Sequence, residues 1–306
     1  MSQNLTKYGS REIMTEKTPA VETIDVFCVG EHGGNRAPIV LDADAMSAEE
    51  MQGIAAAYGH EAGFVLTPTD PLKADLRYRF FVPLHEMDMC GHGTLGTTWL
   101  LASRGKLKPG EVRIETKSGI VRARISDTGA VAVSQPPAKI AELDAAQRAE
   151  IISILGLSER DLLDLPLLNA TTSRTKTLVP IVSPAVLNGL MPEFSRLKAV
   201  CEAIGSTGLY PFACDWDDER TYHARQFPAA SGYPEDAATG IAATALLYGL
   251  KHWGLIGLRR TIRVHQGDAM GRPSRMAVTL ADHADASAGC WLSGEVRMSP
   301  VAKCRH

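Results

Sequence analysis

The chain has 306 residues, of which 45% are hydrophobic and 22% are charged. These proportions are ordinary for a globular protein large enough for two domains. The formal net charge of −3 argues against a basic nucleic-acid surface, and no apolar run reaches the roughly 18 residues that a membrane helix needs. Six scattered cysteines without metal-ligand spacing and the lack of a signal-peptide core predict a cytoplasmic protein with reduced thiols and no nucleic-acid, membrane or metal partner.

The first half of the chain is predicted to contain strands, turns and one capped helix. Residues 1–20 are polar and mixed in charge, and we expect them to form an N-terminal extension. Ser47 followed by Glu50 is a capping box, which predicts a helix running to about Tyr58. Alternating apolar and polar residues predict strands at 21–29 and 37–41, on the two sides of a glycine-rich turn at 30–36. Further strands are predicted at 75–83, 112–114, 119–125 and 130–133.

Glu61 is the single acidic residue at the entry of an apolar strand, next to His60 and between Gly59 and Gly63. A carboxyl group placed against apolar walls can both take and return a proton near neutral pH. Glu61 is therefore a candidate general acid/base. The alternative is a solvated glutamate just beyond the end of a helix.

Residues 87–101 contain a tight turn that leads into a helix with apolar residues on most faces. Gly91 and Gly93 permit a ligand to approach closely. The first N–H groups of a helix lack intrahelical partners, so they favour an anion such as a carboxylate. Cys90 and His92 flank this predicted anion site, and a helix N-terminus lowers the pKa of a thiol. Cys90 is therefore a candidate reactive cysteine, the alternative being a small buried cysteine beside a turn.

Residues 234–247 repeat this chemistry, with turn residues followed by a small-residue apolar helix. At an offset of 147 residues (237 − 90), Cys90 is set against Ala237. Three identities follow, which are Gly93 with Gly240, Thr97 with Thr244 and Leu100 with Leu247. Because this offset is close to half the length of the chain, it predicts two related halves that face each other across a cleft.

The second half is predicted to begin after a linker at Pro136 and Pro137. Helices are predicted at 143–155, at 185–204 with a break near Pro192, and at 242–253. Strands are predicted at 177–182, 208–212, 221–227, 260–265, 276–280 and 293–297.

Several common motifs are absent from the sequence: a phosphate-binding loop, a dinucleotide fingerprint, a paired-histidine zinc motif and a nucleophile elbow. The chain offers acid, base, thiol and anion sites without the signature of a cofactor. We therefore expect proton-transfer chemistry on a small anionic molecule, with no cofactor.

The motifs together resemble the PhzF-like family, which has the diaminopimelate epimerase fold. The resemblance runs from about Val21 to Val301 and is carried by residues 25–27, 34–35, 61–64, 91–96, 235–240, 266–267 and 271–274. It implies an α+β fold of two pseudo-symmetric halves, each an antiparallel β-barrel around a central helix, with the site at the two helix N-termini. The first barrel is expected to comprise 21–134 with a returning segment at 288–303, and the second 135–287.

The resemblance also implies roles for three side chains. The family's glutamate moves a proton between two carbons of the substrate and matches Glu61, while the histidine and aspartate that assist it match His92 and Asp236. The sequence departs from the family pattern where Ile241 replaces a serine and Arg36 replaces a proline, the latter offering a carboxylate or phosphate clamp.

A third departure is Cys90, which stands where related racemases carry one of two catalytic thiols. Ala237 occupies the position of the second thiol and cannot transfer protons. This argues against a symmetric two-cysteine racemase.

These observations predict a cofactor-independent isomerase that moves a proton between carbons of a small carboxylate substrate by general acid/base catalysis. The predicted catalytic residues are Glu61, His92, Asp236 and Cys90. The predicted substrate-binding residues are Asn35, Arg36, Gly91, Gly93, Thr94, Thr239, Gly240 and Ile241.

Two alternatives stay open. One is a cysteine-dependent epimerase or dehydratase of a cyclic amino acid such as hydroxyproline, with Cys90 as the base. The other is a non-catalytic metabolite-binding protein. A homodimer is the expected assembly, because symmetric dimers are the commonest soluble oligomers.

Overall fold

A computed structural model describes residues 19–215, 217–218, 220–231, 233–256, 261–282 and 285–300. Residues 1–18 of the predicted extension lie outside the described residues, as do Gly232, Arg260 and positions 301–303 of the predicted returning segment. Within the described ranges, no helix combines the length and the apolar character needed to cross a bilayer.

The described residues form a mixed α/β structure. The helices are α1 (Ala48–Tyr58), α2 (Gly91–Ser103), α3 (Ala145–Leu155), α4 (Pro184–Asn188), α5 (Phe194–Ala203) and α6 (Gly240–His252). The strands of the first half are β1 (Val21–Val26), β2 (Asn35–Val40), β3 (Ala62–Leu66), β4 (Leu76–Val82), β5 (His85–Met87), β6 (Gly110–Thr116), β7 (Gly119–Ile125) and β8 (Val131–Gln135). The remaining strands are β9 (Lys139–Glu142), β10 (Leu168–Thr171), β11 (Thr175–Ile181), β12 (Gly208–Cys214), β13 (Thr221–Ala224), β14 (Phe227–Pro228), β15 (Thr261–Gln266), β16 (Ser274–Leu280), β17 (Cys290–Ser293) and β18 (Val296–Met298).

The predicted capping box at the start of α1 is confirmed. The Ser47 hydroxyl accepts a hydrogen bond from the Glu50 N–H, and the Glu50 carboxylate accepts one from the Ser47 N–H. These bonds satisfy two backbone donors that the helix itself leaves unpaired. The helix ends at Gly59, whose φ of 65° is the left-handed conformation that glycine adopts readily.

Each central helix packs mainly against strands of its own half, and α6 also contacts β17 of the returning segment. Helix α2 contacts β1, β2, β3, β7 and β8, whereas α6 contacts β9, β10, β11, β16 and β17. Nearly every residue of α2 from Gly91 to Leu101 is buried, and so is nearly every residue of α6 from Gly240 to Leu250. The prediction of two helices that are apolar on most faces and lie inside a core is therefore confirmed.

The expectation of purely antiparallel barrels is wrong. Four neighbouring strand pairs are parallel, namely β2–β3, β4–β6, β11–β12 and β13–β15. In each case a helix lies between the two strands in the chain: α1, α2, α4 with α5, and α6, respectively. The reason is that parallel neighbours need a crossover connection, which a helix supplies.

The two halves exchange strands at their junction. Strand β17 pairs with β16 of the second half and with β8 of the first, and the chain then continues into β18, which pairs with β1. In the same way, β8 is followed by β9, which pairs with β10. One continuous sheet therefore runs through both halves.

The two central helices contact each other, and both begin beside Leu292 of β17. Their first residues are 149 positions apart (240 − 91). Counted from the helix start, Cys90 therefore corresponds to Thr239, since these residues are the N-caps of α2 and α6. The sequence offset of 147 had set Cys90 against Ala237.

The break predicted near Pro192 in the helix at 185–204 is confirmed, because α4 ends before Gly189 and α5 begins at Phe194. Other elements differ from the predicted ones. Strands β5, β9 and β10 were not predicted. Strand β9 directly follows the predicted linker, and three of its four residues are exposed, so its sequence carries no apolar alternation.

Candidate active site

Glu61, Cys90 and His92 form a compact cluster of acid/base groups. Cys90 is the N-cap of α2, and its Sγ lies 3.1 Å from Glu61 Oε2 and 3.3 Å from His92 Nδ1. His92 Nδ1 lies 3.4 Å from the same Glu61 oxygen. Glu61 directly precedes β3, which enters the sheet beside β4. Three groups able to hold or transfer protons are thus brought within hydrogen-bond distance of one another.

Cys90 is buried, and its thiol differs from the activated thiol that the sequence predicts. Burial raises the pKa of this thiol well above its usual range, and the Glu61 carboxylate raises it further through its charge and its hydrogen bond. The Gly93 N–H donates to Cys90 Sγ over 3.2 Å and lowers the pKa, but this effect is the smaller one. Cys90 is therefore a protonated donor to Glu61, and the prediction of a lowered pKa is wrong.

Asp236 is held in the turn before α6 by hydrogen bonds from both halves of the chain. It accepts from Thr239 Oγ1 over 2.6 Å and from Asn35 Nδ2, on β2, over 3.4 Å. Burial raises the pKa of Asp236, and the Glu61 carboxylate adds to this effect, whereas the Thr239 hydrogen bond lowers it. Asp236 and Glu61 also line the same cavity, although they come from different halves of the chain.

A buried glutamine fixes the shape of this turn. Gln266 Nε2 donates to the Asp236 carbonyl over 2.8 Å and to Thr239 Oγ1 over 3.1 Å, while its Oε1 accepts from the Tyr210 hydroxyl over 3.0 Å. Gln266 and Tyr210 are fully buried. Because a fully satisfied buried network is rigid, the network fixes Asp236 relative to the start of α6.

A cavity of about 80 Å³ lies where the two helices begin. A water molecule needs roughly 10–15 Å³ on this measure, so the space holds about five to eight waters and suits a small metabolite. Most of the predicted site residues line it: Asn35, Glu61, Cys90, Gly91, His92, Asp236, Thr239, Gly240 and Ile241. The cavity thus brings the turns before both central helices into one site.

Three predicted substrate-binding residues do not line the cavity. Arg36 is turned away because neighbouring residues of a strand point to opposite faces, and Asn35 takes the cavity side. Its guanidinium pairs with the buried Asp25 at 2.8 Å, so the expected carboxylate clamp is wrong. Gly93 and Thr94 instead stabilise the turn at Cys90. The Gly93 N–H donates to Cys90 Sγ, and Thr94 Oγ1 donates to the Cys90 carbonyl over 2.8 Å.

Several residues that line the cavity were not predicted from the sequence, notably Lys176, Gln226, Arg174 and Tyr233. The clearest signal was available for Lys176. It precedes an apolar run in β11 and shares a strand face with Leu178, which is fully buried. A lysine at an inward position of a buried strand is rare unless it is paired or functional.

The acid/base cluster also has the chemistry of a metal site. Carboxylate, thiolate and imidazole ligands suit zinc, and the ligand atoms of Glu61, Cys90 and His92 lie within 4.8 Å of one another. The expectation of a metal-free enzyme therefore stays a prediction. Retained activity after dialysis against a chelator would support it.

Residues 24–296 match the model of the phenazine biosynthesis-like protein family, PhzC-PhzF. The chain belongs to this family. The family assignment agrees with the resemblance carried by the turns at Glu61, His92 and Asp236. It covers both halves of the chain and all of the residues that line the cavity.

Relatives of this family member are named isomerases. The chain is 31% identical to an uncharacterized isomerase of Deinococcus radiodurans over 90% of this chain and 91% of that protein. It is 32% identical to the trans-2,3-dihydro-3-hydroxyanthranilate isomerase of Pseudomonas aeruginosa, over 83% of this chain and 87% of that enzyme. These relatives identify the chain as an isomerase.

Solved structures show the same fold. A PhzF-family protein of Bacillus anthracis superposes with a TM-score of 0.79 at 29% identity, covering 93% of this chain and 98% of that one. A hydroxyproline epimerase of Agrobacterium vitis superposes with a TM-score of 0.59 at 14% identity, covering 92% and 90% of the two chains. At that identity the second likeness shows the fold alone, and it relates the chain to the epimerase-like folds.

Proposed function

We propose that this isomerase moves a proton between two carbons of a small carboxylate substrate by general acid/base catalysis, with Glu61 as the principal base. The observation that carries the proposal is the contact of Glu61 with both Cys90 and His92 at the wall of the cavity. A base must lie within hydrogen-bond reach of the proton it takes and of a group that can exchange that proton. Glu61 meets the second requirement through its hydrogen bond with Cys90, and His92 lies 3.4 Å away.

The proton balance of the proposed reaction is neutral. The Glu61 carboxylate takes a proton from a carbon next to the substrate's carboxylate, and the electron pair left behind delocalises onto that carboxylate. Protonated Glu61, or the Cys90 thiol that donates to it, then returns a proton to a second carbon. Where Cys90 returns the proton, the proton that Glu61 has taken passes on to Cys90, either directly across their 3.1 Å contact or through His92, which lies within 3.4 Å of both groups.

The developing negative charge needs donors that are already in position. The first N–H groups of a helix have no intrahelical partners and carry the positive end of the helix dipole. Gly91 of α2 and both Gly240 and Ile241 of α6 line the cavity. We propose that these N–H groups bind the substrate carboxylate and stabilise the enolate-like transition state.

Asp236 and Asn35 are proposed to orient the substrate from the opposite side. The hydrogen bond from Asn35 Nδ2 joins β2 of the first half to the turn of the second half. Asp236 has a raised pKa, which favours a role in sharing a proton with a polar substituent of the substrate.

Deuterium incorporation tests the proposal. The protein is incubated in heavy water with small carboxylates, cyclic amino acids and dihydro-aromatic acids, and mass gain is read by mass spectrometry. Glu61→Gln is expected to lower incorporation about 10²–10⁴-fold, because it removes the general base but keeps the shape of the side chain. Glu31→Gln, a change at an exposed glutamate in the 30–34 turn, serves as the control and is expected to leave incorporation unchanged.

The other two functions predict different results. If Cys90 were the base of an epimerase or dehydratase of a cyclic amino acid, Cys90→Ser would abolish incorporation and Glu61→Gln would have the smaller effect. A non-catalytic binding protein would be stabilised by a ligand without incorporating deuterium from any compound.

We also propose that the two halves are closed barrels, with residues 21–134 and the returning segment 288–303 around α2, and residues 135–287 around α6. The strand pairing at the junction supports this division, because β18 pairs with β1 of the first half and β9 pairs with β10 of the second. The homodimer and the cytoplasmic location stay predictions, to be tested by light scattering and by cell fractionation.

A further inference from the structure

Lys176 and Gln226 are two buried polar side chains in the cavity wall to which the proposed proton transfer gives no role. Both belong to the second half, Lys176 in β11 and Gln226 immediately before β14. Lys176 is 5% exposed and Gln226 is 1% exposed, and both line the cavity that also holds Glu61 and Cys90.

Within the part of the chain that the structure describes, neither side chain has a partner. Both polar atoms of the Gln226 side chain, Nε2 and Oε1, are buried without a hydrogen bond. In the same ranges, Lys176 makes no hydrogen bond and no ion pair within 4.0 Å. Buried polar groups are nearly always hydrogen-bonded, and an unpaired buried charge is costly. Two such groups in one cavity wall indicate that a ligand supplies the missing partners.

The charges that face Lys176 come from several elements. Two carboxylates raise the pKa of Lys176 by their charge, namely Asp236, in the turn before α6, and Glu61, before β3. Cys201 of α5 also raises this pKa, whereas Arg174, in the loop before β11, lowers it. Burial dominates and lowers the pKa of Lys176 to about 8. The ammonium group is thus charged at neutral pH but lacks a close counter-ion.

Arg174 adds a second cation on the same side. It lines the cavity, is exposed, and makes no ion pair with any of the described residues. The loop and strand from 174 to 176 thus present two unpaired cations to the cavity.

We infer that Lys176 and Gln226 form an anion subsite, so that the substrate of this enzyme carries two anionic groups, one at the helix N-termini and a second at Lys176. This inference rests on the proposed function for the location of the first group. The Lys176 ammonium group supplies the charge-assisted donors that a carboxylate takes up. The Gln226 amide, whose polar atoms are buried in the cavity wall, would reach the same anion after a turn of its side chain. Short dicarboxylates are the simplest compounds that carry two such groups, and they serve as the probes of this class.

Paired probes that differ in one charge test the subsite. Malonate, succinate and glutarate are each compared with their half-amides, which keep the shape but lose one carboxylate. Binding is measured by calorimetry, without any requirement for turnover. In the wild-type protein at least one dicarboxylate is expected to bind roughly tenfold or more tightly than its half-amide, as is typical of a charge-assisted hydrogen bond. The ratio of these two affinities is expected to fall to about one in Lys176→Met and to be reduced in Gln226→Met.

Lys198→Met is the matched control, because it removes the same charge from the exposed side of α5, where Lys198 pairs with Glu202 at 3.8 Å. It is expected to keep the wild-type ratio. Equal loss of the ratio in the Lys198 and Lys176 variants, or no preference for any dicarboxylate in the wild-type protein, overturns the subsite.

Thermal melting separates a binding role from a structural one. If Lys176 serves only to bind a ligand, Lys176→Met should be at least as stable as the wild-type protein, because the lysine has no partner to lose. A marked fall in the Tm of Lys176→Met would show a structural role and overturn the inference. The proposed function fails separately: a Lys176-dependent dicarboxylate preference without any deuterium incorporation would leave the subsite standing and remove the catalytic proposal.

Discussion

The Cys90 thiol donates a hydrogen bond to Glu61 Oε2 over 3.1 Å, and this contact joins the start of α2 to the start of β3. A thiol that caps a helix is usually considered a nucleophile, because the N-terminus stabilises the thiolate. Here burial and the carboxylate act in the opposite direction and prevail. Cys90 is therefore a thiol with a raised pKa that donates its proton in a hydrogen bond to Glu61.

The first prediction concerns the reactivity of Cys90. Because the Glu61 carboxylate raises the pKa of Cys90, Glu61→Gln should lower that pKa and increase the thiolate fraction at pH 7–8. We expect alkylation of Cys90 by iodoacetamide to be several-fold faster in Glu61→Gln than in the wild-type protein, as followed by peptide mass spectrometry. The partly exposed Cys214 is the internal reference. An unchanged rate ratio between the two cysteines would contradict the assigned charge coupling.

The second prediction compares two replacements of Cys90. A serine hydroxyl can still accept from the Gly93 N–H and donate to Glu61, whereas alanine can do neither. Cys90→Ser is therefore expected to fold normally and retain measurable deuterium incorporation. Cys90→Ala should lower the free energy of unfolding by about 0.5–2 kcal/mol, the usual effect of losing an N-cap, as measured by urea denaturation. Complete loss of incorporation in the serine variant would make Cys90 the base.

The third prediction is the pH dependence of stability at Lys176. The pKa of Lys176 is about 8 in the folded protein and about 10.4 in an unfolded chain. Below pH 8 the lysine is charged in both states, so its burial destabilises the fold by an amount independent of pH, of order 3 kcal/mol at most. Between pH 8 and about 10.4 only the unfolded state holds the proton, so stability rises as pH increases.

Lys176→Met removes this ionisation. We expect the variant to unfold at higher urea concentration than the wild-type protein at pH 7, and the difference in free energy of unfolding to shrink from pH 8 to pH 10. Subtracting the two curves at each pH cancels the titration of other groups. A difference that does not change with pH would show that Lys176 is not buried in the charged form.

The fourth prediction compares the first glycines of the two central helices. A Cβ atom added at Gly240 would lie 2.4 Å from Leu292 Cδ2, whereas one added at Gly91 would lie 3.5 Å from the same atom, an ordinary contact. Leu292 is fully buried and cannot move aside freely. Gly240→Ala is expected to lower the free energy of unfolding by about 1–3 kcal/mol, as overpacking does.

Gly91→Ala is the matched variant, since it makes the same change at the same helix position. It is expected to be neutral or slightly stabilising, because alanine restricts the unfolded chain more than glycine does. Both values come from urea denaturation. Equal destabilisation of the two variants would mean that Leu292 does not fill the space between the helix starts.

Much of the local structure could be predicted from the sequence, because the interactions that produce it join residues a few positions apart. The capping box of Ser47 and Glu50 and the small-residue helices after Cys90 and Thr239 are of this kind. The repeated turns also indicated that both helices serve one site, and Glu61, His92 and Asp236 do face one cavity.

Tertiary structure alone decided which way neighbouring side chains point and which charges remain unpaired. Asn35 and Arg36 are adjacent, yet one reaches the cavity and the other pairs with Asp25, since a strand alternates its faces. The pKa of Cys90 and the unpaired ammonium of Lys176 depend on burial by segments far away in the chain. Burial and long-range pairing are properties of the assembled fold, so no local pattern of residues could determine them.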